Sequence, residues 1–152
     1  MKFTVPLSLL LAATFTFAQS TPTAQAWDPT SITWQNTYAD GTRWSVLEGN
    51  KDEPGKAFTY AFFIPAGYWE HHSHNQDARV AVVSGTLKVT VGPTLDKGGA
   101  KSYGVGSFLL VPADVPHTMG ADVNTIIIGT AMGPWKTHHD GDPENGHDHH
   151  HH

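Results

Sequence analysis

Six short runs set what this chain can become: RWSVLEG from Arg43, AFTYAFFI from Ala57, RVAVVSG from Arg79, TLKVTVG from Thr86, SFLLVPA from Ser107 and NTIIIGTAM from Asn124. Each is rich in Val, Ile, Thr, Phe or Tyr, and between them stand turn signals such as DEPG, PAG, SG, DKGG, GVG and PAD. β-branched and aromatic residues in runs of strand length, punctuated by Gly, Pro and Asp, predict many short strands joined by turns. Helix signals are scarce, so an all-β sandwich or barrel is expected. The chain has no cysteine. Burial alone must hold the fold, with no disulfide, and no thiolate can bind metal or act as a nucleophile.

The two ends of the chain stand apart from this rhythm. At the N-terminus, Lys2 precedes an apolar stretch over residues 5–17 and then the small-residue site Ala24, Gln25, Ala26. This is the pattern of a secretory leader, which places the working protein outside the cytoplasm, secreted or periplasmic. Residues 1–26 are assigned to the leader and 27–136 to a single globular domain, and residues 137–152 are expected to form a disordered His-rich tail. The four terminal histidines, His149, His150, His151 and His152, read either as a native metal-gathering tract or as the remains of a purification tag. The formal charge of −5 becomes −6 once Lys2 leaves with the leader. Such a balance argues against a nucleic-acid partner and leaves no polybasic patch for a membrane. Small molecules, glycans and metals remain.

Of the eleven histidines, seven fall in the last fifteen residues. The folded part keeps His71, His72, His74 and His117. Along a strand side chains alternate faces, so His72 and His74 point one way and His71 the other. Two imidazoles two apart on one face can share a metal ion, and His117 is the remaining histidine that could join them.

The surrounding residues resemble the two motifs of the cupins. Gly67, His72, His74 and Gly85 match the first motif, and Gly106, Pro112 and His117 match the second. The likeness runs over about residues 44–135. It implies a double-stranded β-helix, the cupin jelly-roll barrel, with a metal at its mouth and a tendency to pair as a homodimer through edge strands. In the family, three histidines and one glutamate hold the ion. Here the gap from Gly67 to His72 is one residue short, and Asp114 replaces the second motif's glycine, a change Asp tolerates because it enters the left-handed region more readily than most residues. The third departure is chemical: the glutamate position is Ala78.

The expected metal ligands are therefore His72, His74 and His117, with one or more open positions. Losing the carboxylate weakens the case for manganese and iron, while imidazole suits copper and zinc, and affinity peaks at copper. Copper is ranked first, zinc second, with iron and manganese behind. Glu70, Asp77 and Asp114 are the carboxylates near enough in sequence for acid–base work, and Gln76 shares the histidines' parity. Tyr68 and Trp69, immediately before the histidine strand, are the expected substrate-binding pair, suited to stacking on a sugar. Some compact exported cupins with three-histidine copper sites cleave cellulose oxidatively, and this chain is similar to them in size, leader, missing glutamate and aromatic content. The expected activity is a copper oxidoreductase acting on glycan or another small substrate with oxygen or peroxide. A metal- or ligand-binding module without turnover, and a zinc hydrolase, lyase or isomerase, are the alternatives.

Overall fold

A computed structural model describes Met1 and residues 23–139. The expected leader lies almost wholly outside the described residues, as do the histidines from His147 onward. Among the described residues there is no helix. The strands are β1 (Asn36–Thr37), β2 (Arg43–Glu48), β3 (Ala57–Ile64), β4 (Trp69–His74), β5 (Ala78–Ser84), β6 (Thr86–Val91), β7 (Lys101–Gly104), β8 (Phe108–Val111), β9 (His117–Gly120), β10 (Thr125–Met132) and β11 (Thr137–His139). They form a six-stranded sheet in the order β1-β2-β3-β10-β5-β8 and a five-stranded sheet in the order β11-β4-β9-β6-β7. Neighbouring strands are antiparallel throughout. Strands consecutive in sequence repeatedly switch sheets, which is the jelly-roll arrangement the motifs imply.

Alternation explains which side chains fill the space between the sheets. Along β3, Phe58, Tyr60, Phe62 and Ile64 are buried, and Val80 and Val82 of β5 and Leu87 and Val89 of β6 meet them. Removing each such side chain from water is worth about 1.5–3 kcal/mol. Aromatic rings concentrate at one end of this core: Trp44 stacks on Tyr60 at 4.3 Å between centroids, and Trp135 lies edge-on to Phe58 at 5.9 Å.

The tight β5–β6 connection depends on Gly85, which has φ +75° and whose missing Cβ makes room for the Asn124 carbonyl and Thr125. Gly67 and Gly106, the other two motif glycines, also have positive φ. Asp114 takes φ +59°, the left-handed conformation expected when it replaces glycine, and its N–H donates to the His74 carbonyl at 2.7 Å.

The C-terminal segment corrects one expectation. Residues 137–139, assigned by composition to a disordered tail, form β11 at the edge of the five-stranded sheet, with Thr137 opposite His74 and His139 opposite His72. Asn75 secures the approach: its side chain donates to the Pro134 carbonyl at 2.9 Å and accepts from the Lys136 N–H at 2.7 Å. Strand pairing is a backbone interaction, and polar side chains do not prevent it at an edge.

Candidate metal centre

β4 and β9 are hydrogen-bonded neighbours, and their register sets His72 directly against His117. Alternation turns Glu70, His72 and His74 to the same side of β4, and with His117 they line one cavity between the sheets. His72 and His117 are each 3% exposed, so both rings are out of bulk water. The His72 centroid lies 4.6 Å from that of His74 and 4.3 Å from that of His117. Nε2 of His72 and Nε2 of His74 are 3.0 Å apart, and one candidate ligand atom from each of the three rings lies within 4.8 Å of the others.

The outer nitrogen of each ring faces an oxygen. His117 Nδ1 is 2.9 Å from the Val115 carbonyl, His74 Nδ1 is 3.1 Å from Thr137 Oγ1, and His72 Nδ1 is 3.6 Å from Glu70 Oε2. The first two are at hydrogen-bond distance and the third is a longer polar contact. An N–H at Nδ1 directed to the Val115 and Thr137 oxygens leaves the lone pairs of His117 and His74 at Nε2, the tautomer that a metal ligand needs. Burial pushes the His117 pKa below the ordinary imidazole value, against the opposing pull of the Val115 carbonyl and the Glu70 charge. The ring is thereby kept neutral, as ligation requires.

These residues fit a metal ion. Two nitrogens 3.0 Å apart can both stand about 2.0–2.1 Å from one ion, the usual distance for imidazole on zinc. Ala78 lines the same cavity and is 3% exposed. The motif's glutamate position is thus inside the site and carries a methyl group. Trp135 stacks on His74 at 4.1 Å, and Trp44, Phe62, Val80, Leu109 and Met119 make the rest of the wall predominantly apolar. The cavity volume is about 40 Å³, room for roughly three water molecules.

The other expected site residues separate. Glu70 is buried within the site, its Oε2 accepting from His139 Nε2 at 3.1 Å. Tyr68 donates its hydroxyl to Glu70, and burial together with the charge of Glu70 raises the phenol well above its ordinary value. Tyr68 therefore touches the site through Glu70, and it is not part of the cavity wall. Trp69 has the opposite parity to His72 and lies across Gly120, with Lys88 and Lys97 at 6.0 and 5.7 Å from its ring. It belongs to the outer face of the sheet.

Gln76 does not reach the cavity wall because β4 ends at His74 and the alternation stops there. Asp77 accepts from the Ala113 N–H at 3.0 Å and from Arg79 at 3.3 Å, so it ties two loops together outside the site. Nε2–H of His71, on the far side of β4, donates to the Gly92 carbonyl at 2.8 Å. The ring is buried all the same, at 8% exposure. Two residues that the sequence did not single out, Thr137 and His139, come to the site through β11. The proximity of His139 to His72, 5.8 Å between centroids, depends on long-range pairing and has no local signal.

No curated protein matches the chain. Among solved structures it is similar to a cupin-like protein of Thermotoga maritima, with 18% identity, TM-score 0.58, and coverage of 72% of this chain and 87% of that one. It is also similar to the polyketide cyclase RemF of Streptomyces resistomycificus, with 16% identity, TM-score 0.60, and coverage of 80% and 89%. A variant of the salicylate 1,2-dioxygenase of Pseudoaminobacter salicylatoxidans aligns with 17% identity and TM-score 0.55 over 69% of this chain, which spans 32% of that larger protein. At these identities the likeness is one of fold. The family model for the ChrR cupin-like domain matches residues 23–136, and with both cupin motifs meeting on β4 and β9, the chain belongs to that cupin family.

Proposed function

We propose that this protein is an exported metalloenzyme in which His72, His74 and His117 hold one metal ion, copper before zinc, iron or manganese, and that with copper in place it oxidises a small substrate with oxygen or peroxide. The observation that carries this reading is the common orientation of the three rings, each with Nδ1 toward an oxygen and with one nitrogen of each within 4.8 Å of the others. A packing histidine has no need of a shared orientation with two others. When bound, copper supplies one-electron redox chemistry and zinc supplies Lewis acidity.

The chain's own residues do the rest. Glu70 and the Val115 carbonyl face the outer nitrogens of two of the rings, and a predominantly apolar wall surrounds them. Ala78 leaves space where a cupin glutamate would reach the ion, so a neutral ligand set faces a small apolar pocket. That pocket favours a compact, largely apolar substrate. Trp69, one of the two rings suited to stacking on a glycan, lies on the outer face of the sheet, which favours a small molecule over a glycan as the substrate. The fold itself hosts cyclases and dioxygenases alike and does not choose between reactions.

The test is elemental analysis with electron paramagnetic resonance on the exported full chain and on His117→Ala. The variant retains every histidine outside the site, so it measures what the tail binds. About one Cu(II) per chain above that background, with nitrogen couplings, is the expected result. Equal metal content in the two proteins would overturn the assignment.

A further inference from the structure

The family match ends at residue 136, and β11 begins at the next residue. This strand nevertheless reaches two of the three histidines. Thr137 Oγ1 lies 3.1 Å from His74 Nδ1. His139 Nε2 lies 3.1 Å from Glu70 Oε2, and that same carboxylate oxygen lies 3.6 Å from His72 Nδ1. His117 alone is oriented without β11, through the Val115 carbonyl within its own loop.

We propose that β11 is a positioning strand for the metal centre, with Thr137 fixing the ring of His74 directly and His139 fixing that of His72 through Glu70. The inference rests on the three-histidine metal reading and adds residues that no cupin motif contains. A hydroxyl can donate or accept, so Thr137 accepts the Nδ1–H of His74 and thereby keeps its lone pair at Nε2. His139 donates its Nε2–H to Glu70, which holds the carboxylate where it meets His72. Partners of this kind keep ligand rings in the binding tautomer, and their loss typically costs about 10- to 100-fold in metal affinity. The docked position of β11 follows from its pairing with β4 and from the Asn75 clamp on residues 134 and 136. Assembly of the site and docking of the segment after Trp135 are thus one event.

The test uses the full chain and titrates Cu(II) and Zn(II) by calorimetry, with the Cu(II) resonance spectrum as a second readout. His117→Ala supplies the background of other histidines. Thr137→Val keeps the shape and strand preference of the side chain and removes the hydroxyl, while Thr137→Ser keeps the hydroxyl. Affinity at the three-histidine site should fall about 10- to 100-fold in Thr137→Val, with a changed spectrum, and return in Thr137→Ser. His139→Ala should weaken binding in the same direction, and His139→Gln, whose amide can still donate to Glu70, should restore it. Wild-type affinity and spectrum in both Thr137→Val and His139→Ala would overturn the role of β11 while leaving the metal site standing. Equal weakening in Thr137→Val and Thr137→Ser would assign the effect to packing and also overturn it. If the wild type binds no more than His117→Ala, the metal reading fails and this inference falls with it.

Discussion

His72 on β4 and His117 on β9 are direct cross-strand partners, with ring centroids 4.3 Å apart. A ladder position fixes the backbone of both residues, so the site is as rigid as the sheet that carries it. Replacing His117 with Ala leaves two imidazoles and should abolish specific metal binding. The metal-free variant should stay folded, since the motif ring is no part of the apolar cluster. What it should lose is the stabilisation that metal confers, about 2.7 kcal/mol when free metal is 100 times Kd. Thermal melts with and without metal, on both proteins, check this; an equal metal-induced shift in the variant would contradict it.

Ala78 offers the reverse experiment. Its methyl group lies in the cavity wall with the three histidines, so Ala78→Glu places a carboxylate where the motif expects one. Without metal the variant should be less stable than wild type, because a buried carboxylate lacks a partner. Mn(II) or Fe(II) should recover that stability, and the preference should move away from copper, because an anionic oxygen favours harder ions. Competition titrations that return the wild-type order of metals would show that the position does not face the ion.

How much of this was legible before the fold was known follows from where each signal resides. The six β-branched runs became β2, β3, β5, β6, β8 and β10, because a period of two over several residues is a local property. β1 and β11 carry too few residues for a pattern and are polar, and β7 and β9, though as long as β8, lack its run of large apolar side chains. His72, His74 and His117 were readable because motif spacing encodes the facing strands. Glu70 had a usable signal, its even parity with His72, yet nothing ranked it above Asp77, which the loop turns outward to Arg79. Parity misplaced Gln76, whose chain leaves the strand after His74, and parity applied to Trp69 would have sent it outside. Thr137 and His139 depend on tertiary pairing alone.

Two phenols predict the alkaline limit of stability. Burial first, and the charge of Glu70 second, hold Tyr60 and Tyr68 well above their ordinary pKa of 10.0. In the unfolded chain both ionise near 10, while in the folded protein they remain protonated to higher pH. Between those values the unfolded state binds fewer protons, so folding stability is fully present below pH 10 and declines as pH rises above it. Denaturant melts at pH 8, 9, 10 and 11 should show the decline starting near 10. A Tyr60→Phe, Tyr68→Phe double variant should flatten it, and an unchanged slope would mean that neither phenol resists ionisation in the fold.

Gly129 connects the core to the site through a chain of rings. It sits on β10 opposite Tyr60, and a Cβ there would fall within the van der Waals surface of the Tyr60 ring. That ring has little room to yield, because Trp44 stacks on it at 4.3 Å and Trp135 lies 6.0 Å away. Gly129→Ala should therefore destabilise the protein by about 1–3 kcal/mol, the usual range for overpacking. The direction of the strain matters more than its size. Tyr60 pushed toward Trp135 presses on the ring that stacks on His74 at 4.1 Å, so metal affinity should fall together with stability although Gly129 touches no ligand. Urea melts and a metal titration on the same preparation separate the two effects. Loss of stability with unchanged affinity would show that the aromatic stack absorbs the added methyl before it reaches His74.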